Sequence, residues 1–312
     1  MMNDYHKPVL VEEVMQYMSC RKGGIYIDGT IGGGGHALEI CRRIDGDGLL
    51  IGIDKDDEAL AHAAETLKEY SSCVRLIKGD FRYMKALVNG IEVNEVDGVL
   101  LDLGVSSHQL DDAGRGFSYN AEAVLDMRMD KQQLLTAKDV VNTYDEKRLY
   151  EIIKDYGEER WAKRIASFIV KERQRYPIET TGQLVEVIKR AIPAAARREG
   201  PHPARRTFQA IRIEVNDELN SIKEGLIQAM DCLKPGGRLC VISFHSLEDR
   251  LVKDTFRRWQ NPCTCPPDTP LCVCGNKPVA AIVTKKPVIA TPDEVESNPR
   301  ARSAKLRVCE KL

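Results

Sequence analysis

The 312-residue chain has no apolar run close to the roughly 20 residues needed to cross a bilayer, which excludes a membrane-spanning helix. Its first residues carry no apolar signal core, so the ten cysteines are expected to be reduced thiols in a cytoplasmic protein. Net charge is also nearly absent. At −1 the bulk charge argues neither for nor against nucleic acid, and only local patches can speak. What is present is a soluble globular composition, 43% hydrophobic and 30% charged. The length suits one large domain or two smaller ones.

The most informative stretch is Ile25-Tyr26-Ile27-Asp28-Gly29-Thr30-Ile31-Gly32-Gly33-Gly34-Gly35-His36. A β-branched run ends in an acid, and four glycines open a helix carrying Leu38, Ile40, Cys41 and Ile44. Glycines admit positive φ and close approach of a ligand. Bare N–H groups at a helix start favour polar or anionic ligand atoms. A second strand ends at Asp54, about 20 residues past the loop, where doubly wound folds place an acid on ribose hydroxyls. An ordinary helix N-cap is the competing reading of Asp54. A third strand runs into Asp80-Phe81, an acid and an aromatic suited to adenine, or else a cap and a core phenylalanine. A fourth, Val96 to Leu103, runs into Asp102. Strands alternating with helices predict a parallel α/β sheet with ligands at the strands' carboxyl ends, where Asp28, Asp54, Asp80 and Asp102 all fall.

After Asp112 the pattern becomes helical. Gly114 to Tyr119 reads as a flexible basic-aromatic loop. Leu149, Ile152, Ile153 and Tyr156 predict a helix with Asp145 as N-cap and Gly157 at C′. Trp161 and Phe168 share a stripe with aliphatics and read as core. Arg197, Arg198, Arg205 and Arg206 surround Gly200-Pro201-His202-Pro203 in a non-helical hinge, either a phosphate clamp or a solvated linker. One long helix is expected through Ile211, Val215, Leu219, Ile222 and Leu226. A fifth strand, Leu239 to Phe244, leads into Ser246 and Asp249, a capping-box variant, and two late strands close the sheet. Cys263-Thr264-Cys265 and Cys272-Val273-Cys274 could hold zinc, although structural sites more often use C-x-x-C. A reduced or disulfide-prone loop is the alternative, and no metal is assigned to the site.

Several of these motifs are long: the loop at 28–36, Asp102-Leu103-Gly104-Val105-Ser106-Ser107-His108-Gln109, Arg115-Gly116-Phe117-Ser118, Pro203 to Gln209, Leu233 to Gly237, and Ser243-Phe244-His245-Ser246-Leu247-Glu248-Asp249-Arg250. Together they resemble the MraW family of methyltransferases, and the resemblance runs from His6 to Arg307. It implies a class I S-adenosylmethionine-dependent methyltransferase fold, a Rossmann-like, mostly parallel seven-stranded sheet, with an all-helical inserted domain. The expected division is 1–114 and 206–312 for the sheet domain and 115–205 for a substrate-recognition insert. The implied reaction is N4-methylation of cytidine 1402 in 16S rRNA, free or within a small ribosomal subunit, with S-adenosylmethionine as cofactor. Gly34, Gly35, His36, Asp54, Phe81, Asp102 and Gln109 are implied as cofactor-binding, Gln109 by the resemblance alone. Asp102, Ser106, Ser243 and His245 are the candidates for catalysis. The Asp/Asn-Pro-Pro-aromatic motif of DNA amino-methyltransferases is missing after the fourth strand, so a base-stacking aromatic must come from Phe117, Tyr119, Phe244 or His245. A homodimer is left open. Competing readings are an NAD-dependent oxidoreductase on the same fold, which lacks an evident hydride-transfer dyad here, and a non-catalytic RNA-binding assembly factor.

Overall fold

A computed structural model describes residues 8–198, 200–266, 271 and 273–312. His6, Lys7 and Cys272 lie outside the described residues. The chain forms two compact units, 1–104 with 219–312, and 105–218. Against the expected insert of 115–205, the second unit starts ten residues earlier and ends thirteen later.

The first unit is a sheet of β1 (Ile25–Asp28), β2 (Leu49–Asp54), β3 (Val74–Lys78), β4 (Val96–Asp102), β5 (Leu233–Ser243), β6 (Ala280–Ile282), β7 (Val288–Ile289) and β8 (Lys305–Lys311). Their order is β3-β2-β1-β4-β5-β8-β6, with β7 also paired to β8. The first five strands are parallel, and β8 runs antiparallel to β5, β6 and β7. This is the class I methyltransferase order. The two-residue β7 is an addition to the seven strands expected, too short to leave a pattern in the sequence. Between β4 and β5 the register jumps from Val96↔Leu233 to Gly98↔Arg238, so Lys234-Pro235-Gly236-Gly237 bulges and β5 begins earlier than expected.

Successive sheet residues alternate between two apolar layers. Tyr26, Leu100, Cys240 and Ile242 face one; Ile27, Val99, Leu101, Leu239 and Val241 face the other. Helices Val11–Met18 and Gly35–Ile44 cover the first layer, and Met84–Asn89 and Ser246–Gln260 the second. A sheet buried on both faces needs near-continuous apolar strands, which is how β4 and β5 read. Truncating Leu100 to Ala in this layer is worth about 2–5 kcal/mol. Chain order reverses between β1 and β4, which puts the crevice for a ligand beyond Asp28 and Asp102, the last residues of those strands.

The second unit is built from helices, including Ala137–Thr143, Glu146–Asp155, Ala162–Arg173, Thr181–Ala191 and Arg205–Asn216, plus an isolated bridge Val124↔Thr180. Asp145 caps its helix as expected. The left-handed residue after that helix is Glu158, however, and Gly157 is required because a Cβ there would lie 2.6 Å from the Ile153 carbonyl oxygen. Trp161 and Phe168 pack on the unit's core. The loop after Asp112 is pinned: Arg115 is buried and donates to the carbonyls of Arg128 and Met129, and Phe117 sits in the core. Phe117 is thereby removed as a base-stacking candidate. Tyr119 stacks on His202 at 4.7 Å.

The expected long helix breaks at Asp217, whose φ is 49°. Its i, i+4 stripe passes unbroken from Val215 to Leu219, so periodicity alone could not reveal the break. Asn216 fixes the end of the first half. Its Oδ1 accepts from Met129 N–H at 2.8 Å, and its Nδ2 donates to the carbonyls of Met127 and Arg212. The arginine hinge is partly helical: Arg197 ends the turn Ala194–Arg197, and Arg205 and Arg206 open the next helix. All four arginines are exposed.

Candidate active site

The loop after β1 is stitched to both neighbouring strands. Gly29 N–H donates to Leu100 O and Ile31 N–H to Ile53 O. The helix Gly35–Ile44 that follows has Gly34 as N-cap at φ 84° and no side-chain cap. A residue with Cβ is disfavoured in that conformation, and a glycine N-cap offers no side-chain acceptor to the first amides of this helix, which favours an anion at its terminus. Gly35 is glycine for a different reason. A Cβ there would meet the Pro8 ring at 2.9 Å, so the chain's own packing requires it.

Asp54 is not the cap of the next helix; Asp56 is. Instead Asp54 Oδ2 accepts from Gly32 N–H and Oδ1 from Asp56 N–H, both at 3.0 Å. Each carboxylate oxygen keeps a second lone pair. Burial raises the Asp54 carboxyl above its usual range, against the lowering effect of the Asp56 and Gly32 amides. Phe81 is half-buried, and one side of its ring lies on Gly225, where a Cβ would come within 2.2 Å. Asp80 accepts from Arg82 through both oxygens.

Asp28 and Asp102 end the two strands at the switch point. Asp28 is 2% exposed, and burial pushes its carboxyl up to about 7, partly offset by the hydrogen bond from Thr30 N–H. Asp102 N–H donates to Thr30 Oγ1 at 2.6 Å. Its carboxyl is held well above the usual range by burial, then by the charges of Asp28 and Glu248. Asp102 Oδ1 is buried with no hydrogen-bond partner, while the side chain as a whole is 22% exposed. Oδ2 lies 3.8 Å from His36 Nδ1, beyond hydrogen-bond reach, and His36 Nε2 pairs with the Val9 carbonyl at 2.8 Å.

At the end of β5, Ser243 is buried and its Oγ reaches the Lys305 carbonyl at 3.5 Å. The helix Ser246–Gln260 is capped by His245 and Glu248, not by Ser246 and Asp249. Asp249 instead holds Arg307 Nε at 2.6 Å. Glu248 is fully buried, and its Oε2 accepts from the amides of Phe244 and His245. Ser106 and Gln109 belong to the second unit. There they form a reciprocal capping box on helix Ser107–Asp111, Ser106 Oγ accepting from Gln109 N–H and Gln109 Oε1 from Ser106 N–H.

The structure thus gathers the uncapped glycine turn, His36, Asp54, Asp102, Ser243 and His245 at the carboxyl edge of one sheet. Asp28 and Glu248 received no role from the sequence. Each had a signal: Asp28 is the last residue before the glycines, and Glu248 lies three residues after the cap His245. Asp28 and Asp102 end adjacent strands, and Glu248, in the first turn of helix Ser246–Gln260, adds a third carboxyl whose charge acts on Asp102. The imidazoles of His36 and His245 lie 3.8 Å from Asp102 and 3.1 Å from Glu248.

The whole chain, residues 3–312, matches the profile of the MraW methylase family. The chain belongs to that family. It is 57% identical over 308 residues to the Ribosomal RNA small subunit methyltransferase H of Symbiobacterium thermophilum, covering 99% of this chain and 97% of that protein. It is 53% identical to the protein of that name from Ruminiclostridium cellulolyticum over 98% of this chain and 99% of that protein, and 55% identical to that of Halothermothrix orenii over 98% of each. Membership of the MraW methylase family assigns methyl transfer to this fold and sets the oxidoreductase reading aside.

Proposed function

We propose that this member of the MraW methylase family transfers a methyl group from S-adenosylmethionine to N4 of cytidine 1402 in 16S rRNA, in the cytoplasm, on RNA within the small subunit or its precursor. The observation that carries the cofactor half is the acid cluster. Burying carboxyl groups together is unfavourable unless a cation joins them. S-adenosylmethionine supplies a sulfonium and an ammonium for the acids, a carboxylate for an uncapped helix start, and an electrophilic methyl group. A dinucleotide pyrophosphate would set two negative charges beside Asp28 and Asp102. In this reading the amides of Gly34 to His36 hold the carboxylate end, the spare lone pairs of Asp54 take ribose hydroxyls, and Phe81 offers an apolar surface to adenine. Gln109 is assigned to the cofactor through the family resemblance.

The chemical task for the chain's own residues is to free a lone pair. The N4 amino group of cytosine is conjugated with the ring, so it must be turned and its protons held by acceptors. Asp102 Oδ1, which has no partner of its own, is the acceptor we assign to an N4 proton. That proton leaves nitrogen as the new carbon–nitrogen bond forms. Asp102 must be ionised to accept it, and a neighbouring cation opposes the burial that raises its pKa. Ser243 and His245 are assigned supporting roles: their side chains are engaged in a sheet contact and a helix cap at the end of β5. Ser106, in the second unit, caps its own helix and is assigned a role in catalysis only through its place in the motif. Four exposed arginines at 197–206 are assigned to RNA phosphates.

Small subunits from cells lacking this chain, incubated with the protein and methyl-labelled S-adenosylmethionine, should acquire N4-methylcytidine at position 1402. Label at another nucleotide, or on the ring carbon or ribose, would refute the assignment.

A further inference from the structure

Outside this site, one cluster has no part in methyl transfer. We propose that Cys263, Cys265 and Cys274 bind a zinc ion that staples the segment between helix Ser246–Gln260 and β6. Their Sγ atoms all lie within 4.8 Å of one another, and Cys263 and Cys274 are 3.9 Å apart. Zinc–sulfur bonds of about 2.3 Å in a tetrahedron put sulfurs about 3.8 Å apart, whereas a disulfide needs about 2.05 Å. Val273 N–H donates to Cys265 Sγ at 3.4 Å, an amide–sulfur bond of the kind that orients and stabilises a metal-bound thiolate. Asn276 Nδ2 donates to the Pro262 carbonyl at 3.1 Å, which ties the two arms together.

The segment has reason to need a staple. Among its described residues none is buried and none lies in a helix or strand. Leu271 and Val273 are 79% and 82% exposed, so no apolar burial offsets the entropy of ordering it. A metal supplies that free energy where a core cannot. Five other cysteines differ: Cys41, Cys73, Cys232, Cys240 and Cys309 are buried in apolar layers, and burial pushes the Cys232 thiol up to about 11. Soft thiolates in tetrahedral spacing select zinc over magnesium or calcium. Three thiols release their protons to solvent on binding, and a fourth ligand completes the shell. Cys272 lies outside the described residues, and the proposal does not depend on it.

The test uses the full chain, purified without chelator or added reductant. Elemental analysis should find one zinc per chain, and cobalt exchanged into it should give the intense visible bands of a tetrahedral thiolate site. The Cys263→Ser/Cys274→Ser double variant should lose both. Should that variant fail to fold, competition of wild-type protein with a chromophoric zinc chelator still decides. Zinc that is stripped as fast as free ion, a stoichiometry near zero after zinc loading, a Cys263–Cys274 disulfide in the isolated protein, or zinc retained by the folded double variant would each overturn the proposal.

Discussion

Replacing Asp28 by Asn tests whether the acid cluster is a real store of unfavourable electrostatics. Asn keeps the shape of the protonated acid and an oxygen for Thr30 N–H, which Asp28 Oδ1 accepts at 3.2 Å. The folded chain holds the Asp28 proton up to a pH of about 7, against 3.8 for an ordinary aspartate. As pH rises from about 4 to about 7, the unfolded chain therefore ionises first and gains relative to the fold. The full penalty above neutrality is about 4 kcal/mol, roughly three pKa units at 1.36 kcal/mol each. Between pH 5 and pH 8.5 it grows by about 2–3 kcal/mol. Asp28→Asn should thus stabilise the sheet unit more at pH 8.5 than at pH 5 by that amount. Urea unfolding in a Trp161→Phe background reads this unit alone, because the chain has two tryptophans and Trp259 lies on helix Ser246–Gln260. A gain equal at the two pH values, within about 0.5 kcal/mol, would refute the reasoning.

Four further outcomes follow from the same geometry. Asp102→Asn should lower single-turnover methyl transfer by about 10²- to 10⁴-fold, and the wild-type rate should climb with pH, because the raised Asp102 carboxyl must ionise to accept a proton; a flat pH profile would speak against the role. Glu248→Ala leaves the Phe244 and His245 amides without their acceptor and should cost about 1–3 kcal/mol in the sheet unit by urea unfolding. Asn216→Ala removes the anchors of Met127 and Met129 and should destabilise the helical unit by about 2 kcal/mol, read by Trp161 fluorescence in a Trp259→Phe background. Arg197→Ala/Arg198→Ala should weaken RNA binding and flatten its salt dependence by about one to two in log–log slope, with an unchanged slope excluding these side chains from phosphate contact.

Much of the sheet was legible because its strands bear the marks of burial on both faces and end in acids. Asp28, Asp54 and Asp102 stand where alternation and the glycine turn place them. The helix caps were less legible. Asp56 and His245 each have an equally good capping residue as a neighbour, and only the path of the chain selects between them. The break at Asp217 hid because a four-residue spacing continues across it. Phe117 looked like an exposed aromatic in a glycine loop, yet Gly116, Arg115 and the carbonyls of Arg128 and Met129 fold that loop inward. The buried acids Asp28 and Glu248 gain their meaning from Asp102, a long-range relation between two strand ends and the first turn of a helix that local pattern does not carry.

The central claim is tested most directly by mass spectrometry of nuclease fragments of 16S rRNA from cells with and without this chain. The N4-methyl group on cytidine 1402 should vanish with the chain, return with the wild-type gene, and stay absent with Asp102→Asn. An undiminished N4-methyl group at that position in cells lacking the chain would contradict it.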